Sequence, residues 1–198
     1  MRAMRISGWF FLLAACSMVC ASHPALAQEN ENLSPAQEKF VNMEKAMPQD
    51  KRGRFYKLGE IGVAAIAAGE YDKAERYAQE LLSDAPDFHK DWNYGNAIFD
   101  GNMVLGLVAL KRDDDVAQAD SDLLGSAATP GSPQLGSFGP NMLLAQALLE
   151  RGEESTVLAF LAACRSFWKM GQGQDKLDAW SDTIEQGETP NFAPNLRW

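Results

Sequence analysis

Two apolar stripes at helical spacing, separated by a single glycine, constrain this chain more than any other feature. Between Arg54 and Pro86 the first stripe runs through Leu58, Ile61, Gly62, Ala65 and Ala68. Gly69-Glu70 interrupts it, and a second runs through Ala74, Tyr77, Ala78, Leu81 and Leu82. Recurrence every three to four residues places each set on one face of a helix. Pro86 stops the second helix because it has no amide hydrogen to donate. Small residues at Gly62, Ala65, Ala74 and Ala78 let two antiparallel helices approach closely. Such a hairpin cannot bury its own apolar face, so it requires stacked neighbours.

Elsewhere, too, the periodic segments read as helix. Ser34-Pro35-Ala36-Gln37 is a capping-box start with proline at the first helical position. That first helix carries Phe40, Val41, Glu44 and Met47 and stops at Pro48. A long fourth helix is expected from about His89 to Lys111, with Ile98, Phe99, Asn102, Leu105, Gly106 and Ala109 on one face. Asp113 to Asp115 open a fifth, from Val116 to Leu124, where acidic residues suit the partial positive charge of a helix N-terminus. The Gly-, Pro- and Ser-rich stretch 125–140 is expected to lack regular structure. A sixth helix starts near Pro140, with Leu144, Ala145, Leu148 and Leu149 as its stripe. Gly152-Glu153 turns it into a seventh, ending near Lys169, and an eighth carries Leu177, Trp180 and Ile184 up to Gly187. Residues 187–198 read as an irregular tail.

The Arg54–Pro86 segment resembles one tetratricopeptide (TPR) unit. The residues carrying the resemblance are the small residue in the first helix, the glycine turn, Tyr71, Ala74 and the closing proline. It extends more loosely to Trp168. The turns at Gly69-Glu70, Asp113-Asp114 and Gly152-Glu153 recur at intervals of 44 and 39 residues, against about 34 in a strict TPR array. The expected fold is all-α: antiparallel hairpins stacked as a short TPR-like solenoid over residues 28–186. The resemblance implies a protein- or peptide-binding module, an adaptor or scaffold, with a concave groove. In that register Asn96, Asp100, Met103 and Leu107 of the fourth helix face the groove, with Tyr56, Glu60 and Val63 on the second helix and Met142 and Gln146 on the sixth. Carboxamides suit a peptide backbone because they both donate and accept hydrogen bonds.

The N-terminus reads as an export signal. Arg2 and Arg5 precede an apolar run from Ile6 to Val19, Pro24 follows, and Ala25-Leu26-Ala27 supplies small residues for cleavage. The expected mature chain begins at Gln28 and is periplasmic or secreted. In the alternative reading Leu13-Ala14-Ala15-Cys16 resembles a lipobox, Cys16 carries lipid, and the protein is a membrane-anchored envelope component. The apolar run continues past Cys16, which favours release at Ala27. The apolar run is short for a membrane span. Removing residues 1–27, with two arginines and no acidic residue, leaves 16 basic against 27 acidic residues, a net charge of −11 over 171 residues. Such a surface argues against nucleic acid, whose binding leans on basic patches.

Catalytic chemistry has few candidates. Beyond residue 27 there is one histidine, His89, and one cysteine, Cys164, which lies on the stripe Val157, Leu161, Cys164, Trp168 and reads as core. Ser137 follows Gly136, but Leu135 stands where the G-x-S-x-G elbow needs glycine. Asp87, His89 and Asp91 read as a solvated helix entry, and Asp113 to Asp115 lack the glycine and distal glutamate of a calcium loop. No catalytic residue, metal or cofactor is expected, and the protein reads as a non-enzyme; an enzyme of unfamiliar type is the third reading, which a cleft joining His89 to the 132–137 loop would favour. Lys51, Arg52, Arg54 and Lys57, the one basic cluster, read as a solvated turn.

Asn102 is a separate case. It sits inside an apolar stripe, where an unpaired amide costs about 1–3 kcal/mol. The 125–140 segment has apolar anchors in Leu135 and Phe138 and backbone groups that need partners. The expectation is that Asn102 bonds backbone in this loop or an adjoining turn and pins the loop against the fourth and sixth helices.

Overall fold

Ser34 opens the first helix as its spacing predicts. Its hydroxyl accepts from the Gln37 amide, and the Gln37 side chain accepts from the Ser34 amide, closing the capping box of α1 (Pro35–Lys45). The computed structural model describes residues 33–196. The expected export signal, its cleavage site and Cys16 lie outside these residues. Among the described residues there are nine α-helices, two short 3-10 turns and no strand. No described helix is long and apolar enough to cross a membrane.

The central hairpin forms as expected from α2 (Lys51–Ala68) and α3 (Tyr71–Asp84). Gly69 takes the left-handed conformation (φ 78°) at the end of α2, and the Glu70 amide reaches back to the Ala65 carbonyl at 2.9 Å. Ala65, Ala74, Ala78, Leu58, Ile61 and Leu81 are all buried along the seam. Phe40 and a Glu44 carboxylate that accepts from Lys73 (2.9 Å) and the Tyr77 hydroxyl (2.7 Å) dock α1 on this pair. The basic cluster is paired, not merely solvated: Lys51 meets Asp84 and Asp87, Arg52 meets Asp91, Arg54 grips Glu80 with two bonds, and Lys57 meets Glu60.

α4 (Tyr94–Arg112) starts five residues later than expected. Pro86 begins a 3-10 turn over Ala85–Phe88, and the chain bends on until the Asp91 side chain accepts from the Asn93 amide. α4 packs against α2, α3, α5 (Val116–Ala127), α6 (Pro133–Phe138) and α7 (Leu143–Leu149). It is therefore buried nearly all round, including Met103 and Leu107 on the side expected to face a groove. A helix enclosed by neighbours has no solvated face to offer. Close approach is bought with glycine: a β-carbon on Gly106 would lie 2.3 Å from a Leu144 methyl.

Segment 125–140 corrects the expectation of irregularity. Ser132 caps α6 through the Leu135 amide (3.0 Å), Pro133 takes the first turn, and Gly139 (φ 83°) ends it. Six residues of helix need only a cap and a stop, which this sequence supplies inside a Gly/Pro-rich stretch. α7 begins at Leu143, where the Asn141 side chain accepts from its amide. α8 (Glu154–Cys164) ends five residues earlier than expected, in a turn that packs Phe167 and Trp168 inward. α9 (Gly173–Glu185) follows, with Leu177, Trp180 and Ile184 buried. Cys164 is sealed in the core, and burial pushes its thiol up.

The segment after α9 is not a loose tail. Phe192 is buried edge-on against Trp180, and a 3-10 turn at Ala193–Asn195 leads to Asn195. The Asn195 side-chain amide donates to the carbonyls of Phe138 and Pro140 at 3.0 and 2.9 Å, and the Asn195 backbone carbonyl accepts from the Met142 amide. The irregular 139–142 stretch thus obtains its backbone partners from a segment more than fifty residues downstream.

Candidate functional site

A cavity of about 420 Å³ lies between α2, the turn before α4, α4 itself, α6 and the 193–195 turn. Its size falls within the range of small-ligand pockets. α2 contributes Tyr56, Gly59 and Glu60; α4 contributes Asn96 and Asp100; and Asn141 and Asn195 close the far side. Trp92 and Phe138 stand at its rim, 49% and 74% exposed. Trp92 stacks on Tyr56 with ring centroids 5.5 Å apart, and the Tyr56 hydroxyl donates to Asp91 at 2.6 Å, so this rim is rigidly held.

Four of the nine residues expected to face a groove meet here, Tyr56, Glu60, Asn96 and Asp100; Leu107 and Met142 are sealed in the core, and Val63 does not line the cavity. Met103 lies on α4 but is sealed in the core, and Gln146 lies on α7 away from the cavity, donating to Glu150. On α4 the side expected to face a groove borders the cavity at Asn96 and Asp100 and runs into the core at Met103 and Leu107.

Asn96 is fully engaged. Its amide nitrogen donates to Asn93 and to Gln134, each at 2.8 Å, and its oxygen accepts from the Ser132 hydroxyl. It therefore ties α6 to α4. Thr129 adds a bond to the Gly95 carbonyl at 2.8 Å. These contacts perform the task expected of Asn102, whose amide instead donates to Ile98 in its own helix at 2.8 Å. Asn102 borders Gly125 but reaches no backbone of the loop. A carboxamide one turn above a helical carbonyl satisfies itself locally, so no distant partner is required. Leu135 is the buried anchor of the loop as expected, but Phe138 is not: its short helix has one inward position, and Leu135 fills it.

Asp100 and Asn141 differ from these. Each is 6% exposed, and each retains a buried polar atom, Asp100 Oδ1 and Asn141 Nδ2, with no hydrogen-bond partner among the described residues. Most native buried polar atoms have partners, and leaving one without costs about 1–3 kcal/mol. Both of these line the same cavity. Burial pushes the Asp100 carboxyl well above the usual carboxylate range. The α2 backbone presses on it: a β-carbon on Gly59 would lie 2.6 Å from Asp100 Oδ2. No lysine or arginine among the described residues lines the cavity, and its acidic residues are Asp100 and Glu60.

Trp92, Asn141 and Asn195 were not singled out from sequence, and Phe138 was singled out only as a loop anchor. Trp92 carried a weak signal as an aromatic beside the polar Asp91–Asn93 turn. Asn195 carried none, because its partners are fixed only by tertiary contact. Among the described residues no cluster of metal-ligating side chains occurs. His89, on a surface turn with Nδ1 beside the Pro86 carbonyl, does not line the cavity.

Comparison with models of known families, with curated proteins and with solved structures returned no match in any of the three.

Proposed function

We propose that this is an exported, non-enzymatic binding module that takes a peptide segment into the cavity between α2, α4 and α6. The observation carrying this reading is that two residues lining one cavity under an aromatic rim, Asp100 and Asn141, each keep a buried polar atom without a partner among the described residues. A group that is costly to leave unsatisfied in the empty protein becomes an affinity term when a ligand supplies the missing bond. The hairpins α2/α3 and α7/α8, with α4/α5 between them, follow one another along the chain, and α2 and α3 both pack on α4. This supports a TPR-like stacking, with the cavity where α2 and α4 run side by side. Cleavage after Ala27 would release the module into the periplasm or the medium as an adaptor or scaffold. The net charge of −11 beyond residue 27 supports protein over nucleic acid as partner.

The test is retention of a degenerate pentapeptide pool by the full-length mature chain, followed by nuclear magnetic resonance of the Trp92 indole and Asn141 side-chain amide. Peptide-dependent shifts at both positions are expected. Retention without shifts at the cavity, or no retention, overturns the assignment. Intact mass of the native protein tests export, with a chain starting at Gln28 as the expected species.

A further inference from the structure

We propose that the cavity recognises the N-terminal residue of its peptide, taking the ammonium group at Asp100 and the first carbonyl oxygen at Asn141. This rests on the peptide-binding reading above and specifies what the site reads. The unpartnered atoms are complementary in type. Asp100 Oδ1 is an acceptor needing a donor, and Asn141 Nδ2 is a donor needing an acceptor. A peptide N-terminus presents an ammonium group and a carbonyl oxygen within one residue. A lysine side chain presents the ammonium alone and would leave Asn141 without a partner.

The electrostatics favour a cation. The acidic residues on the wall are Asp100 and Glu60, and no described basic residue lines it to compete for them. Tyr56 and Trp92, stacked at the rim, and the exposed Phe138 offer aromatic faces, which attract ammonium groups. The remaining polar groups around Asp100 are the neutral carboxamides of Asn96 and Gln134, already bonded to one another, and of Asn195, bonded to backbone.

Occupancy is coupled to a proton. In the empty cavity burial disfavours the charged carboxylate of Asp100. An ammonium beside it favours the ionised form, so the complex releases a proton. Affinity therefore rises with pH until Asp100 is ionised in the empty protein or the amine loses its own proton. Glu60 and Tyr56, from α2, are the other titratable groups on the wall.

The experiment uses three lysine-defined pentapeptide pools with a C-terminal fluorophore, read by polarisation on the full mature chain. One pool has free N-termini and no lysine, the second is the same pool N-acetylated, and the third is N-acetylated and contains lysine. The free pool should bind about tenfold or more tighter than either acetylated pool. Asp100→Asn should erase that preference. Calorimetry of wild-type protein in two buffers of different ionisation heat should show proton release, a readout that needs no variant. Equal binding of free and acetylated pools overturns the N-terminus inference and leaves the peptide-binding reading standing. Equal binding of the free pool and the lysine pool replaces the N-terminus by a lysine side chain, which also overturns it. Failure of all three pools to bind removes the peptide-binding reading itself, and the inference with it.

Discussion

Gly95 of α4 and Gly131 of the loop between α5 and α6 touch backbone to backbone: a β-carbon on Gly95 would lie 1.8 Å from the Gly131 carbonyl oxygen. No side chain can yield to relieve that contact. Gly95→Ala is therefore expected to push the 129–132 loop off α4, break the Thr129 bond to the Gly95 carbonyl and cost about 1–3 kcal/mol. Urea unfolding gives the loss. Limited proteolysis should show new cleavage between residues 128 and 134. Unchanged stability would mean that the loop does not rest on this glycine.

Asn96 and Asn102 sit less than two turns apart on α4 and should behave differently. Asn96→Ala removes bonds to Ser132, Gln134 and Asn93, leaving buried partners unsatisfied, and should cost about 1–3 kcal/mol with protease sensitivity in 128–140. Asn102→Leu removes only a bond to its own helix and should leave the loop protected. Equal protease sensitivity in the two variants would contradict this division.

Asp100 sets a pH dependence whose sign follows from its burial. Its folded pKa is raised, so the native state holds the proton more tightly than the unfolded chain. Stability from this residue is full below the ordinary aspartate range, falls as pH rises above it, and levels off once pH passes the raised folded value. Asp100→Asn should remove this component. Chemical denaturation of both proteins from acid to mildly alkaline pH tests it: the wild-type minus variant difference should become steadily less favourable to the wild type with rising pH. A flat difference would mean that the folded protein holds the Asp100 proton no more tightly than the unfolded chain.

Ala74 is buried where α3 meets α2, and Ala74→Leu should overpack the seam and lower stability by about 1–3 kcal/mol. Thermal unfolding measures it. A variant as stable as the wild type would show that the two helices are not in contact at this position.

The α2/α3 hairpin was legible in sequence because its information is local: two stripes, a glycine between them, a proline after them. The capping box at Ser34 and the core position of Cys164 were legible for the same reason. α4 misled because periodicity records which residues are apolar, and α4 is enclosed by helices on several sides, so its polar residues Asn96 and Asp100 are buried as well. α6 was missed because glycine and proline density was weighed above the Ser132-Pro133 start signal. Half of the candidate site came from α2 and α4 and could be placed by spacing. The other half, Asn141 and Asn195, is positioned by contacts between segments far apart in sequence, which no local pattern encodes.

The bonds from Asn195 to Phe138 and Pro140 also order events in time. The chain emerges from synthesis in sequence, and α1 to α5 can pack before residues 193–196 exist. The wall of the cavity at 138–142 gains its backbone partners only when that distant segment returns to it, a contact of high sequence separation that is slow to make. Packing of the early helices and completion of the cavity wall are therefore separate stages. An immature chain would carry its early hairpins while still lacking the partners that hold the cavity wall at 138–142.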